Sequence, residues 1–142
     1  MASAYRSRGL DLARVLLVDD DVTSRLTLQT VLEAGGYRVD AAASAAEAVG
    51  KLDDREYELV LTDLRMESPE AELKVLAHAR MMDYRPATAL VTTYQEHATN
   101  RHDPSLMIQP EDLPGLLMKV ADMISERAQR RVNRELRLAG VS

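Results

Sequence analysis

The sequence predicts an α/β fold, a parallel sheet with helices on both faces, from three observations. The run Val15-Leu16-Leu17-Val18 is unbroken in its apolarity and stops at three aspartates. That is the habit of a strand buried on both faces, as in parallel sheets. Apolar runs of this kind alternate with helical spacing five times along the chain, which implies right-handed crossovers between parallel strands. The 142 residues, 46% of them apolar, suit one domain with its own core.

Each element follows from local chemistry. Residues 1–13 are a polar lead-in. After the first strand, Val22, Leu26 and Thr30 alternate with polar positions through a helix over 22–34, with Asp21 as its N-cap. Gly35-Gly36 stands where a helix C-cap favours glycine. Tyr37 to Ala42 is a second strand. Ser44-Ala45-Ala46-Glu47 has the capping-box pattern and opens a helix through Leu52. Glu58 to Thr62 is a third strand, again ending at an aspartate, Asp63. Residues 70–82 are helical, Ala87 to Thr92 is a fourth strand, and the polar stretch 94–103 has room for one brief helix. Ser105 to Ile108 is a fifth strand, and the pattern is helical from about Glu111.

The bulk numbers exclude several classes. With 29% charged residues the chain is not disordered, and without cysteine it has neither disulfides nor a thiolate metal site. Phe and Trp are also absent, so the core rests on Leu, Val, Ile, Ala and Met. A formal charge of -5 argues against nucleic acid as the main partner. No apolar stretch approaches the roughly 20 residues that span a bilayer. The first 14 residues have no apolar signal region, and the expected compartment is the cytoplasm.

In open parallel sheets, ligands bind beyond the carboxyl ends of the strands. That rule gathers Asp19, Asp20 and Asp21, Asp63, Thr92-Thr93 and Gln109-Pro110. Carboxylates so close repel one another and call for a cation. A hard ion such as Mg2+ meets that need with one or two carboxylates, water and phosphate oxygens. A hydroxyl from Thr92 at the same rim suits phosphoryl transfer, where positioning and charge neutralisation do most of the catalysis. A carboxylate can itself be the nucleophile.

The segments VLLVDDDVTSR, LVLTDLRM, ALVTTY and MIQP resemble, in order and spacing, the motifs of response-regulator receiver domains. The resemblance spans about residues 14–125, leaving 126–142 as a basic extension of the last helix. It implies a flavodoxin-like, doubly wound five-stranded sheet of order 2-1-3-4-5, ending in that extended C-terminal helix. It implies that Asp63 accepts a phosphoryl group from a histidine kinase or phosphotransfer protein. It implies that Asp19, Asp20, Asp63 and the backbone carbonyl of Arg65 hold Mg2+. Asp20 would bind directly and Asp19 through water, while Thr92 would contact the phosphoryl group. Such a domain is a switch that signals through protein contacts, with a homodimer among its options, rather than a metabolic enzyme.

The departures from the family pattern are specific. Gln109 stands where the family has a lysine that pairs with the phosphoryl oxygens. Glutamine donates a hydrogen bond without charge, and charge-assisted bonds are roughly twice as strong. The loop after Asp63 reads Met66-Glu67-Ser68-Pro69-Glu70-Ala71-Glu72, one residue longer than usual and rich in acid. Leu106 occupies the aromatic switch position. These departures favour a second reading, a pseudo-receiver that binds partners without phosphorylation-dependent switching. A third reading takes Asp19-Asp20-Asp21-Val22-Thr23 as the Asp-x-Asp-x-Thr motif of haloacid-dehalogenase-type phosphatases, with Asp19 as nucleophile and Asp21 as acid/base. His78, His97 and His102 lack metal-ligand spacing and carry no assigned role.

The C-terminal stretch holds Arg127, Arg130, Arg131, Arg134 and Arg137, with Ile124, Ala128, Val132 and Leu136 at every fourth residue. It reads as a solvated basic face or as a projecting helix that meets another subunit or an anionic partner.

Overall fold

The computed structural model describes residues 13–63, 68–91, 106–108 and 113–140. In chain order its elements are β1 (Arg14–Asp19), α1 (Val22–Ala34), β2 (Arg38–Ala42), α2 (Ala45–Asp54), β3 (Leu59–Asp63), α3 (Pro69–Arg80), β4 (Ala87–Val91), β5 (Leu106–Ile108) and α4 (Leu113–Leu138). The strands form one sheet in the order β2-β1-β3-β4-β5, and every neighbouring pair is parallel. The stretch 94–103 and the side chain of Leu106 lie outside the described residues.

The period of two along each strand divides the core into two layers. Val15, Leu17, Leu59 and Leu61 face α1 and α4, meeting Leu28, Leu32, Leu116 and Val120. Leu16, Val18 and Val60 face α2 and α3, meeting Ala48, Leu52, Val75 and Ala79. Both faces of the central strands are therefore dry, which is why their sequence is continuously apolar.

Short polar side chains cap the first three helices. Asp21 Oδ2 accepts from the Ser24 N–H at 2.8 Å, and Ser44 and Ser68 accept from the N–H groups of Glu47 and Ala71, each at 3.1 Å. Past α1, Gly36 has φ of 102°, a conformation natural only to glycine. The buried stripe of α1 differs from the expected one. Val22 and Leu26 are more than half exposed, whereas Leu28 and Leu32 are fully buried. Four-residue spacing identifies a helix, but its rotation is set by how the chain leaves β1. Where the chain leaves β1, the Asp21 N–H is tied to Asp19 Oδ1 at 2.9 Å. Helix α3 likewise stops at Arg80 rather than residue 82, with Met81 as its C-cap.

Two tyrosines brace the end of the sheet where the strands begin. Tyr57 donates to Asp40 Oδ2 at 2.7 Å, and Tyr84 to the carbonyl of Leu52 at 2.8 Å. Burial raises both phenol pKa values above the usual 10.0. At Tyr57 the bond to Asp40 adds to the effect. At Tyr84 the carboxylates of Glu56 and Asp53 add to it, and the pKa reaches about 12. The folded state thus holds these protons more tightly than the unfolded state. Their contribution is complete below pH 10.0 and falls as pH rises above it, that of Tyr84 being lost through about 12 and that of Tyr57 at higher pH still. Urea unfolding across that window should show stability falling steeply in the native protein and less steeply in Tyr57→Phe/Tyr84→Phe. Equal slopes would remove the tyrosines from the account.

Candidate functional site

The apolar runs of β1 and β3 both end in acid at the carboxyl edge of the sheet. The register makes Asp19 and Asp63 direct neighbours, because Asp19 pairs with Asp63 across the two central strands. Each is only 1% exposed. Two carboxylates are thus buried side by side where an all-parallel sheet presents its ligand crevice. Asp20 follows at once, and its Oδ2 is also buried.

The start of α1 organises this corner. Asp19 Oδ1 accepts from the Asp21 N–H, and the Asp19 carbonyl accepts from Arg25 Nη1 at 2.8 Å. Burial raises the pKa of Asp19 above the ordinary carboxylate value. The charges of Asp20 and Asp21 add to the rise, while hydrogen bonds from the Ser24 side chain and the Asp21 backbone oppose it. Ser24 and Arg25 went unpredicted as site neighbours. The signal was present, since a cap at Asp21 places the next turn of helix back over the strand end.

The Oδ2 atoms of Asp19 and Asp20 are buried without a hydrogen-bond partner among the described residues. Such atoms are costly unless something binds them. Their chemistry, hard anionic oxygen, fits Mg2+. Among the described residues no three His, Asp or Glu side chains are grouped as a metal cage. A cation here would therefore draw on one or two carboxylates and on other oxygens, which is the usual way Mg2+ is held. Of the residues expected at the site, Asp19 and Asp63 are brought side by side, and Asp20 follows Asp19 directly in the chain. Arg65, Thr92 and Gln109 lie outside the described residues. Asp21 caps α1, its Oδ2 accepting from the Ser24 N–H.

His78 sits on α3, one quarter exposed, with Nε2 2.8 Å from Asp53 Oδ1, away from the acidic corner. Arg127 departs from the solvated-face reading. It is only 6% exposed and donates to the carbonyls of Tyr84 and Arg85, so the packed domain reaches past residue 125 along α4. Among the described residues no helix is long and apolar enough to cross a membrane.

Comparison with known proteins agrees with this geometry. The chain is 36% identical over 78 residues to the gliding motility regulatory protein of Myxococcus xanthus, covering 55% of this chain and 10% of that protein. It is 42% identical over 55 residues to the transcriptional regulatory protein CpxR homolog of Haemophilus influenzae, covering 39% of this chain and 24% of that one. The chain thus spans a quarter or less of these curated relatives. Among solved structures, it is similar to a CheY-like response regulator receiver domain protein from Methanospirillum hungatei, with a TM-score of 0.70 and 25% identity over 84% of this chain and 99% of that one. It is also similar to the response regulator protein TrrA of Thermotoga maritima in complex with Mg2+ and BeF, with a TM-score of 0.68 and 25% identity over 79% and 99%. Residues 15–104 match the response regulator receiver domain, and the chain belongs to that family.

Proposed function

We propose that Asp63 accepts a phosphoryl group from a phosphohistidine of a histidine kinase or phosphotransfer protein, and that the chain passes the change on through protein contacts in the cytoplasm. The observation that carries this reading is the pairing of buried Asp63 with buried Asp19 at the carboxyl end of the sheet. An Asp63 carboxylate oxygen attacks phosphorus, the P–N bond breaks, and its electron pair returns to the imidazole, leaving an acyl phosphate. Asp19 and Asp20, with Asp63 and the Arg65 carbonyl, would hold Mg2+, which would offset the charge of the phosphoryl oxygens. The strand ends fix Asp63 in line with its neighbours, and Thr92 would position a phosphoryl oxygen. Nothing here requires steady turnover, and the domain acts as a switch rather than a metabolic enzyme.

The test is intact-mass spectrometry after incubation with acetyl phosphate or phosphoramidate and Mg2+. One phosphoryl adduct is expected on the native chain and none on Asp63→Asn. An adduct that persists in Asp63→Asn, or that never forms, would refute the reading. Gln109 in place of lysine favours a second reading, in which the fold binds a partner whether or not it is phosphorylated. Affinity for a partner that is the same before and after phosphorylation would select it.

A further inference from the structure

Two grooves of opposite charge share a border at the end of the domain where the strands begin, away from Asp63. A cavity of about 290 Å³ lies between the α3–β4 connection and α4, lined by Arg85, Arg127, Arg130, Arg134 and Arg137 among others. It continues into a groove of about 540 Å³ that adds Arg80, Met81, Met82 and Asp83. On the far side of Met81 and Met82 lies a groove of about 480 Å³ lined by Asp53, Asp54, Glu56 and Asp83, together with Arg55, whose charge is paired with Asp40 at 3.8 Å. Tyr84 lies within reach of both charges, since Glu56 and Asp53 push its pKa up while Arg127 pulls it down.

The charges on these grooves are largely unspent within the chain. Arg131 pairs with Glu135 at 3.7 Å and Asp53 with His78 at 2.8 Å. Among the described residues, Arg85, Arg130, Arg134 and Arg137 make no ion pair, nor do Asp54, Glu56 and Asp83. Apolar surface is left bare beside them. Met81, on the border, is 74% exposed, and Val132 and Leu136 on the projecting end of α4 are 48% and 44% exposed.

We propose that this end of the domain is an isologous homodimer interface, in which the arginine groove of one copy closes on the Asp54–Glu56–Asp83 groove of the other. A two-fold axis laid along the border sets basic against acidic twice in each dimer. It also brings Met81 of the two copies together, giving the contact an apolar centre. Charge complementarity selects a second copy over other occupants. A nucleic acid or an acidic peptide would use the arginines and leave Asp54, Glu56 and Asp83 facing its own negative charge. A chain of net charge -5 already repels such polyanions. The acidic corner around Asp63 stays open in this arrangement.

Sedimentation of the full chain tests the proposal. The weight-average mass should rise with concentration towards twice 15.8 kDa. Raising the salt concentration should weaken the association, because charges at a rim are screened. Arg130→Glu/Arg134→Glu and Asp54→Arg/Glu56→Arg should each raise the dissociation constant at least about tenfold. Arg130, Asp54 and Glu56 are exposed and Arg134 is part-buried, and circular dichroism checks that each variant stays folded. Mixed in equal amounts, the two variants should pair with each other, since each now presents the charge that the other lacks. The proposal is overturned by a native chain that stays monomeric at low salt, or by charge reversals without effect. It is equally overturned by variants that do not recombine, by a dimer dispersed only through Val132→Asp or Leu136→Asp, or by a monomer that holds duplex DNA or polyglutamate on these arginines.

Discussion

Asp19→Asn should make the unmodified protein more resistant to unfolding while sharply weakening its response to Mg2+. The two effects have one cause. Asp19 is 1% exposed, and its ionised form is disfavoured by burial and by the neighbouring charges of Asp20 and Asp21. Asparagine keeps the shape and an acceptor for the Asp21 N–H while removing the buried charge. The same charge is what a divalent cation would bind. Unit charges in contact near a protein surface interact by about 4 kcal/mol, and a third of that is already tenfold in affinity. Thermal unfolding at neutral pH, with and without Mg2+, checks both halves. The native midpoint should rise with Mg2+, because a ligand of the folded state stabilises it. The Asp19→Asn midpoint should start higher and rise less at the same Mg2+ concentration. A variant less stable than the native chain in the absence of Mg2+ would contradict the view that Asp19 serves binding at the expense of folding.

Arg127→Ala should be among the most damaging single changes to stability outside the apolar core. Its guanidinium, on a side chain only 6% exposed, donates to the carbonyls of Tyr84 and Arg85. Those carbonyls belong to the turn that leads into β4, where Arg85 has φ of 46°, in the left-handed region. A hydrogen bond to a charged group contributes about 1.5–3 kcal/mol, and removing the donor leaves its acceptors unmatched. The expected loss is about 3 kcal/mol, or roughly 10 °C in the unfolding midpoint. Arg127→Lys should recover part of it, because a single ammonium cannot reproduce the planar fork. Arg130→Ala, exposed and one turn further on, should stay within about 0.5 kcal/mol of the native chain at concentrations where the protein is monomeric. Chemical denaturation of the three variants decides the matter, and equal losses for Arg127→Ala and Arg130→Ala would reduce Arg127 to surface charge.

These two residues mark how far the sequence could be read. Asp19 was legible because an apolar run that stops at adjacent acids has few other meanings, and β3 repeats the pattern at Asp63. Arg127 was not, because in sequence it is one of five arginines on a helix whose polar face looks uniform. Only the approach of the α3–β4 turn distinguishes it. Helix α1 teaches the same point. Its length, its Asp21 cap and the glycines after it were readable, yet the stripe Val22–Leu26 turned outward and Leu28–Leu32 inward.

The sequence by itself determined the alternation of strands and helices, the acids at the strand ends and the family to which they point. Those features depend on contacts within a few residues, namely side-chain period, capping and the apolarity of each run. The tertiary structure alone decided that Asp19 and Asp63 stand in register and that arginines of α4 gather with Arg85 of the α3–β4 turn beside a groove that holds Asp54, Glu56 and Asp83. Each of those depends on which distant segments meet, and no local pattern encodes the rotation of a helix against a sheet.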